Sequence, residues 1–249
     1  MTAKAFGLTD VGRRRENNQD RLLVDDDRGL FAVADGMGGH AAGEVASRIA
    51  IEALDDAMLC EDEEPPTEPD AVGEQLQRAF AEGNRRICES VVTRGEWRGM
   101  GTTIVALVVL GNRAVIGHVG DSRAYLLRDD RLLRLTQDHS WVNEQVRLGL
   151  LTTEEADRHP MRNIITRALG NRDDLDVDLT EQAMRTDDVY LLCSDGLNSM
   201  LSDEEIRQIL STHRDDPKLA CRKLVDAANE RGGDDNITVV VLSNTNEAS

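Results

Sequence analysis

The sequence predicts an α+β fold in which antiparallel sheets are layered against helices. Two observations carry this expectation. Strand-like segments come in two batches, each accompanied by a pair of helical segments, and the links within a batch are short turns rather than crossover helices. A third observation bears on size: 249 residues with 40% hydrophobic side chains suffice to bury a sizeable core in one large domain or two small ones.

Lys4 to Thr9, Arg21 to Val24 and Leu30 to Ala34 are short aliphatic or β-branched runs. Asp25-Asp26-Asp27-Arg28-Gly29 joins the last two as a hairpin turn. From Gly43 to Leu59 small and aliphatic residues recur at helical spacing, with Val45, Ile49, Ala53 and Ala57 on one stripe. Glu61 to Asp70 holds three of the five prolines and six acids, so residues 61–70 are expected to be a solvated loop and not a domain boundary. A second helix is expected from about Ala71 to Thr93. Thr102 to Leu110, Ala114 to Val119, Arg123 to Leu127 and Arg131 to Leu135 are separated by Gly-Asn, Gly-Asp and Asp-Asp, a spacing that predicts an antiparallel meander. Short helical pieces around His159-Pro160 fill residues 141–170. Strands near Asp176 to Gln182 and Val189 to Cys193 follow, then helices at Ser202 to Thr212 and Pro217 to Arg231, and a last strand at Ile237 to Leu242.

The net charge of -18 excludes whole function classes, since nucleic acid or an anionic membrane would be repelled by this surface. The longest apolar run, Ile104 to Leu110, is seven residues, far short of the roughly 20 that a spanning helix needs. No hydrophobic signal core opens the sequence, and the four cysteines form no Cys-x-x-Cys pair, so a reduced, cytoplasmic location is expected.

Four motifs compete for the chemistry. Gly36-Met37-Gly38-Gly39-His40-Ala41 mimics a dinucleotide fingerprint with Asp55 and Asp56 further on, but Asp35 would face the pyrophosphate and the acidic pair falls inside a helix. Cys88 and Arg94 have the spacing of a cysteine phosphate loop, yet no glycine lies between them and Glu89 opposes a thiolate, so Cys88 is expected to pack a helix. Asp25-Asp26-Asp27 lacks the glutamate that a calcium loop needs at its twelfth position. The fourth is a dispersed set of carboxylates at strand ends: Asp20, Asp35-Gly36, Gly120-Asp121, Asp195-Gly196 and Asp235-Asn236. Such turns expose their carboxylates, and hard cations such as Mg²⁺ or Mn²⁺ take oxygen ligands. Any one of them alone is more often a plain turn.

Taken in order, these strings resemble the metal-dependent serine/threonine phosphatases of the type 2C family, in their compact bacterial form. The resemblance rests on Arg15-x-x-Asn18-Gln19-Asp20, Ala34 to His40, Gly43-Glu44, Met100-Gly101-Thr102-Thr103 and Val119-Gly120-Asp121-Ser122-Arg123. It continues through Leu135 to Ser140, Asn163 to Gly170, Cys193 to Leu197 and Gly233 to Thr238, nearly the whole chain. It implies a four-layer αββα sandwich of two antiparallel sheets flanked by helix pairs, a single catalytic domain over residues 1–249, and a flap at about 141–172. It further implies two metals, Mn²⁺ or Mg²⁺, with Asp35 as the bridging carboxylate and the Gly36 carbonyl, Asp195 and Asp235 completing the protein ligands. Asp121, with Asp195, matches a third metal position, and Asp20 a carboxylate that holds metal-bound water.

The implied reaction is hydrolysis of phosphoserine and phosphothreonine in proteins by a metal-bridging hydroxide, with no protein nucleophile. Arg15 suits the substrate phosphate, because its planar guanidinium can donate two parallel hydrogen bonds. Met37 stands where the family's eukaryotic members carry a histidine assigned to the leaving group. His40 is the nearest substitute, either as that acid or as a polar residue capping the next helix. Gln19 likewise replaces an acid often found before the equivalent of Asp20. Expected partners are phosphoprotein substrates, among them Ser/Thr kinases and their targets, with the chain a monomer. The alternative is a non-catalytic or regulatory member of the same fold that binds a partner protein. Metal chemistry, the third position and the water-holding Asp20 included, accounts for only five of 47 acids, so the remaining negative surface is expected to favour phosphosites with basic flanks.

Overall fold

The computed structural model describes residues 2–39, 42–59, 66–93, 97–172 and 174–245. Its first half runs β1 (Thr2–Asp10), β2 (Asp20–Asp25), β3 (Leu30–Met37), α1 (Ala42–Met58), α2 (Pro69–Thr93), β4 (Gly101–Thr102), β5 (Ile104–Leu110) and β6 (Arg113–Val119). The second runs β7 (Arg123–Arg128), β8 (Arg131–Arg134), α3 (Trp141–Arg147), α4 (Thr153–Asp157), β9 (Asp178–Ala183) and β10 (Val189–Cys193). It closes with α5 (Asp195–Asn198), α6 (Asp203–Thr212), α7 (Pro217–Glu230) and β11 (Ile237–Thr245).

The central strands read as unbroken apolar runs because both of their faces are covered. On β3 and β5, Leu30, Ala32, Ile104, Ala106 and Val108 bury beneath α1 and α2, with Leu54, Leu76 and Phe80 opposite. Their alternate neighbours Phe31, Val33, Val105 and Leu107 face the other way and meet Leu126, Tyr190, Leu192, Val240 and Leu242 of the second sheet. The far face of that sheet, including Leu191, Cys193, Val239 and Val241, packs on Ile206 and Leu210 of α6 and Leu224 and Ala228 of α7. Three apolar layers between four structural ones are the αββα sandwich.

One sheet has the order β1-β11-β10-β7-β8 and the other β2-β3-β5-β6-β9, with β4 beside β3. Every strand pair is antiparallel. This corrects the expected meander and the division into batches. β5 and β6 form a hairpin in one sheet, β7 and β8 a hairpin in the other, and the chain crosses between sheets at Gly120, where φ is +112°. β1 pairs along its length with β11, from the opposite end of the chain. The acidic loop is also shorter than expected. Pro69 and Asp70 already belong to α2, since proline is tolerated in a first helical turn, and residues 61–65 lie outside the described set. No helix of the described residues is long and apolar enough to cross a membrane.

Candidate metal centre

Chain reversals bring the strand-end carboxylates to one edge of the sandwich. Asp20 opens β2 directly opposite Asp35 at the end of β3. Cys193 closes β10 opposite Arg123 of β7 and Val239 of β11, which places Asp121, Asp195 and Asp235 around that edge. Hydroxyls then stitch the sheets together. Asp20 is buried, and its Oδ2 accepts from Ser194 Oγ at 2.8 Å and Thr238 Oγ1 at 2.7 Å. Asp20 Oδ1 and Asp195 Oδ1 are buried with no hydrogen-bond partner.

Asp35 is fixed through its backbone, and its carboxyl group faces that of Asp195. The Asp35 N–H donates to Thr103 Oγ1 (3.1 Å), and its carbonyl accepts from Thr103 N (2.9 Å) and Thr102 Oγ1 (2.8 Å). Thr103 Oγ1 in turn lies 2.6 Å from Ser122 Oγ, beside Asp121. Gly36 lets α1 settle against the strand end: a Cβ there would lie 2.1 Å from the Gly43 carbonyl oxygen. Asn236 clamps the loop that carries Arg15. Its Nδ2 donates to the carbonyls of Val11 (2.9 Å) and Asn17 (3.0 Å), and its Oδ1 accepts from Gln19 N (2.8 Å). Arg15 is half-exposed at the rim, with Nη2 donating to Asp235 Oδ2 at 2.7 Å.

Removal from water is the largest influence on four of these acids, and their mutual repulsion adds to it. Asp35 is raised well above the usual carboxylate range by burial and by Asp20, Asp195, Asp121 and Asp235. Asp20 is pushed up to about 7 and Asp121 to about 8, each mainly by burial with neighbouring acids adding. Asp195 rises to about 6 by burial and Asp235, against the pull of Asp35, Arg15 and Arg123. Uncompensated carboxylates with orphaned buried oxygens are costly to the fold unless cations join them. An all-oxygen donor set of this kind fits Mg²⁺ or Mn²⁺.

These shifts set a pH dependence. Each raised carboxyl binds its proton more tightly in the folded than in the unfolded chain, so the folded state holds extra protons between the unfolded pKa of 3.8 and the folded values near 6 to 8. Stability contributed by those protons is lost as pH rises through that window. Metal-free protein is expected to melt at a lower temperature at about pH 8 than at about pH 6, with excess Mg²⁺ closing the gap. Equal melting temperatures without metal would contradict it.

Asp20, Asp35, Asp121, Asp195 and Asp235 are thus brought together, with Gly36 in place and Arg15 alongside; His40 lies outside the described residues. The competing motifs are consumed structurally. Asp25 and Asp55 pair with Arg28, Asp56 pairs with Arg86, and Cys88 sits within α2. Thr103, Ser194, Asn236 and Thr238 stand in the same sequence strings as the carboxylates, but their supporting roles emerge only from the structure. The available signal was a polar residue adjoining a strand otherwise buried on both faces.

The family described as Protein phosphatase 2C matches residues 12–237. A serine/threonine phosphatase, stp, of Listeria innocua is 40% identical over 237 residues, covering 94% of this chain and 93% of that protein. The crystal structure of the Mycobacterium tuberculosis serine/threonine phosphatase PstP/Ppp superposes with a TM-score of 0.90 at 40% identity, covering 99% of this chain and 100% of that one. A structure of the PstP catalytic domain in complex with two manganese ions matches with a TM-score of 0.86 at 39% identity, covering 98% of this chain and 99% of that one.

Proposed function

The chain belongs to the protein phosphatase 2C family, and on that premise we propose that it is a metal-dependent phosphatase that removes phosphate from phosphoserine and phosphothreonine in proteins. The observation that carries the proposal is the ring of carboxylates at one sandwich edge, two of them with buried, unpartnered oxygens. Asp35, the Gly36 carbonyl, Asp195 and Asp235 would hold two Mn²⁺ or Mg²⁺ ions, and Asp121 with Asp195 a third. When bound, such ions neutralise charge on the phosphoryl group and lower the pKa of coordinated water, so no side-chain nucleophile is needed.

The chain's own groups bind and orient. Arg15 spends one N–H on Asp235 and has others to donate to substrate phosphate oxygens, placing the ester beside the carboxylate ring. Asp20, its Oδ2 fixed by Ser194 and Thr238, keeps Oδ1 to accept from water in the cleft. His40 is the proposed acid for the departing alkoxide. A non-catalytic member would be expected to lack one of Asp35, Asp195 or Asp235, and all three are present. The proposed setting is the cytoplasm, acting as a monomer against a bacterial Ser/Thr kinase.

Hydrolysis of p-nitrophenyl phosphate is expected to appear on adding Mn²⁺ and to vanish with EDTA; undiminished turnover without metal would overturn the proposal. The net charge of -18 adds a preference. Phosphopeptides with Lys and Arg flanking the phosphosite are expected to show a several-fold lower KM than Asp/Glu-flanked ones at low salt, converging as ionic strength rises. Equal KM values at low salt would contradict it.

A further inference from the structure

We propose that His139 is a positioning residue that fixes the Gly120–Asp121 turn and, through Asp178 and Arg167, ties that turn to the stem of the 141–172 flap. The inference deepens the proposed function and rests on the assignment of Asp121 to a third metal position.

His139 grips Gly120 twice. Its backbone N–H donates to the Gly120 carbonyl at 2.7 Å, and its Nδ1 accepts from Gly120 N at 3.0 Å. The turn has little freedom otherwise: φ at Gly120 is +112°, and a Cβ there would lie 2.6 Å from Thr103 Cβ. Asp121 is the next residue, so the grip on Gly120 sets where its carboxylate leaves the backbone.

The ring is oriented from its other nitrogen. With Nδ1 accepting, a neutral imidazole carries its proton on Nε2, and that N–H faces Asp178 Oδ2 at 3.1 Å. Arg167 Nη1 donates to Asp178 Oδ1 at 2.7 Å and lies 3.1 Å from the same Nε2. Arg167 belongs to the returning arm of the flap. That arm is bonded at Thr166 N to the His139 carbonyl (2.8 Å) and at Leu169 to Thr102 in both directions (3.0 and 2.9 Å). Thr102 Oγ1 in turn donates to the Asp35 carbonyl. One short stem therefore touches the strand end that presents Asp35 and the turn that presents Asp121.

His118, His139 and Asp178 could suggest a separate cation site, since one ligand atom from each lies within 4.8 Å of the others and both His118 nitrogens are buried without a partner. Two features oppose it. A cation on His139 Nε2 would require an imidazolate while Nδ1 accepts from Gly120, and the Arg167 guanidinium already occupies that side. His118 instead stacks on His139, ring centroids 4.6 Å apart, and burial pushes its pKa down to about 4, so the pair does not carry two charges.

The test begins with the parent protein in Mg²⁺, where two-bond ¹⁵N couplings should show His139 protonated on Nε2; a proton on Nδ1 would overturn the proposal. His139→Asn places an amide oxygen near the Nδ1 position, whereas His139→Gln places its amide near Nε2 and cannot take the Gly120 N–H. In calorimetric Mn²⁺ titrations, His139→Gln is expected to weaken the site that Asp121→Ala abolishes by about tenfold or more, with His139→Asn within about threefold of the parent. Asp178→Asn should weaken the same site by about two- to fivefold, and no change would overturn the link to the flap. Equal affinities in the Asn and Gln variants would overturn the positioning role. A site abolished by His118→Ala but not by Asp121→Ala would do so too, by making the imidazoles ligands. If Asp121→Ala leaves the isotherm unchanged, the third-metal assignment fails by itself. Positioning is then read from the Gly120 amide, whose hydrogen exchange should quicken about tenfold in the Gln variant alone, equal exchange in both variants overturning it.

Discussion

Asp195→Asn is expected to lower kcat by about three orders of magnitude or more, equivalent to about 4 kcal/mol of barrier, while leaving the protein folded. Asparagine keeps the size and one oxygen of the side chain, so α5 and its approach to the Asp235-Asn236 turn have no steric reason to change. What it removes is a negative charge beside Asp35 and Asp235, one of the carboxylates that would neutralise the bound cations. The same substitution relieves carboxylate crowding, because Asp235 is the leading charged neighbour that raises Asp195. Metal-free protein should therefore be at least as stable as the parent, and calorimetry should show weaker Mn²⁺ binding. Loss of activity together with intact folding and weakened metal binding is the signature of a ligand. A rate within about tenfold of the parent would remove Asp195 from the metal centre.

Each of the site's carboxylates sits near a reversal marked by glycine or asparagine, a local signal that alone reads as a plain turn, and it was the ordered resemblance to a family that joined them into one set. The groups that hold them were not legible in this way, because their partners are remote. Ser194 and Thr238 reach Asp20 across 174 and 218 residues of chain, and Asn236 holds Gln19 across 217. The fold shows the same division. The short, unbroken aliphatic and β-branched runs of β3, β5, β10 and β11 predict strands well, since a strand covered on both faces is apolar at successive positions. Which sheet a strand joins is decided by pairing with distant segments, such as β1 with β11. The expected meander failed for that reason. Val119 and Arg123 are close enough for a hairpin, and only the backbone at Gly120 reveals that the chain turns out of one sheet into the other. Helix α5 escaped notice because four residues are too few for a 3.6-residue period to register.

Gly196→Ala should be among the most damaging single-methyl additions in the molecule. A Cβ at Gly196 would lie 1.9 Å from the carbonyl oxygen of Asn236 and 2.9 Å from its carbonyl carbon, both backbone atoms that no rotamer change can move aside. Relief requires α5 to withdraw from the 235–236 turn, and Asp195 at the start of α5 would withdraw with it from Asp235. Asn236 is also the clamp on the Arg15 loop, so displacing its carbonyl strains the bonds it makes to Val11, Asn17 and Gln19. Overpacking against a fixed backbone costs about 3 kcal/mol or more, which for a chain of this length lowers the melting temperature by about 6–12 °C. Gly39→Ala supplies the contrast, since no atom lies within 4 Å of a Cβ placed there, and it should shift melting by no more than about 2 °C. The second readout is chemical: Gly196→Ala should also weaken Mn²⁺ binding by about tenfold, because the clash drives apart two carboxylates that must close on the same ions. Comparable melting temperatures for the two alanine variants would mean that α5 and the Asp235 turn are not pressed together as the backbone geometry has them.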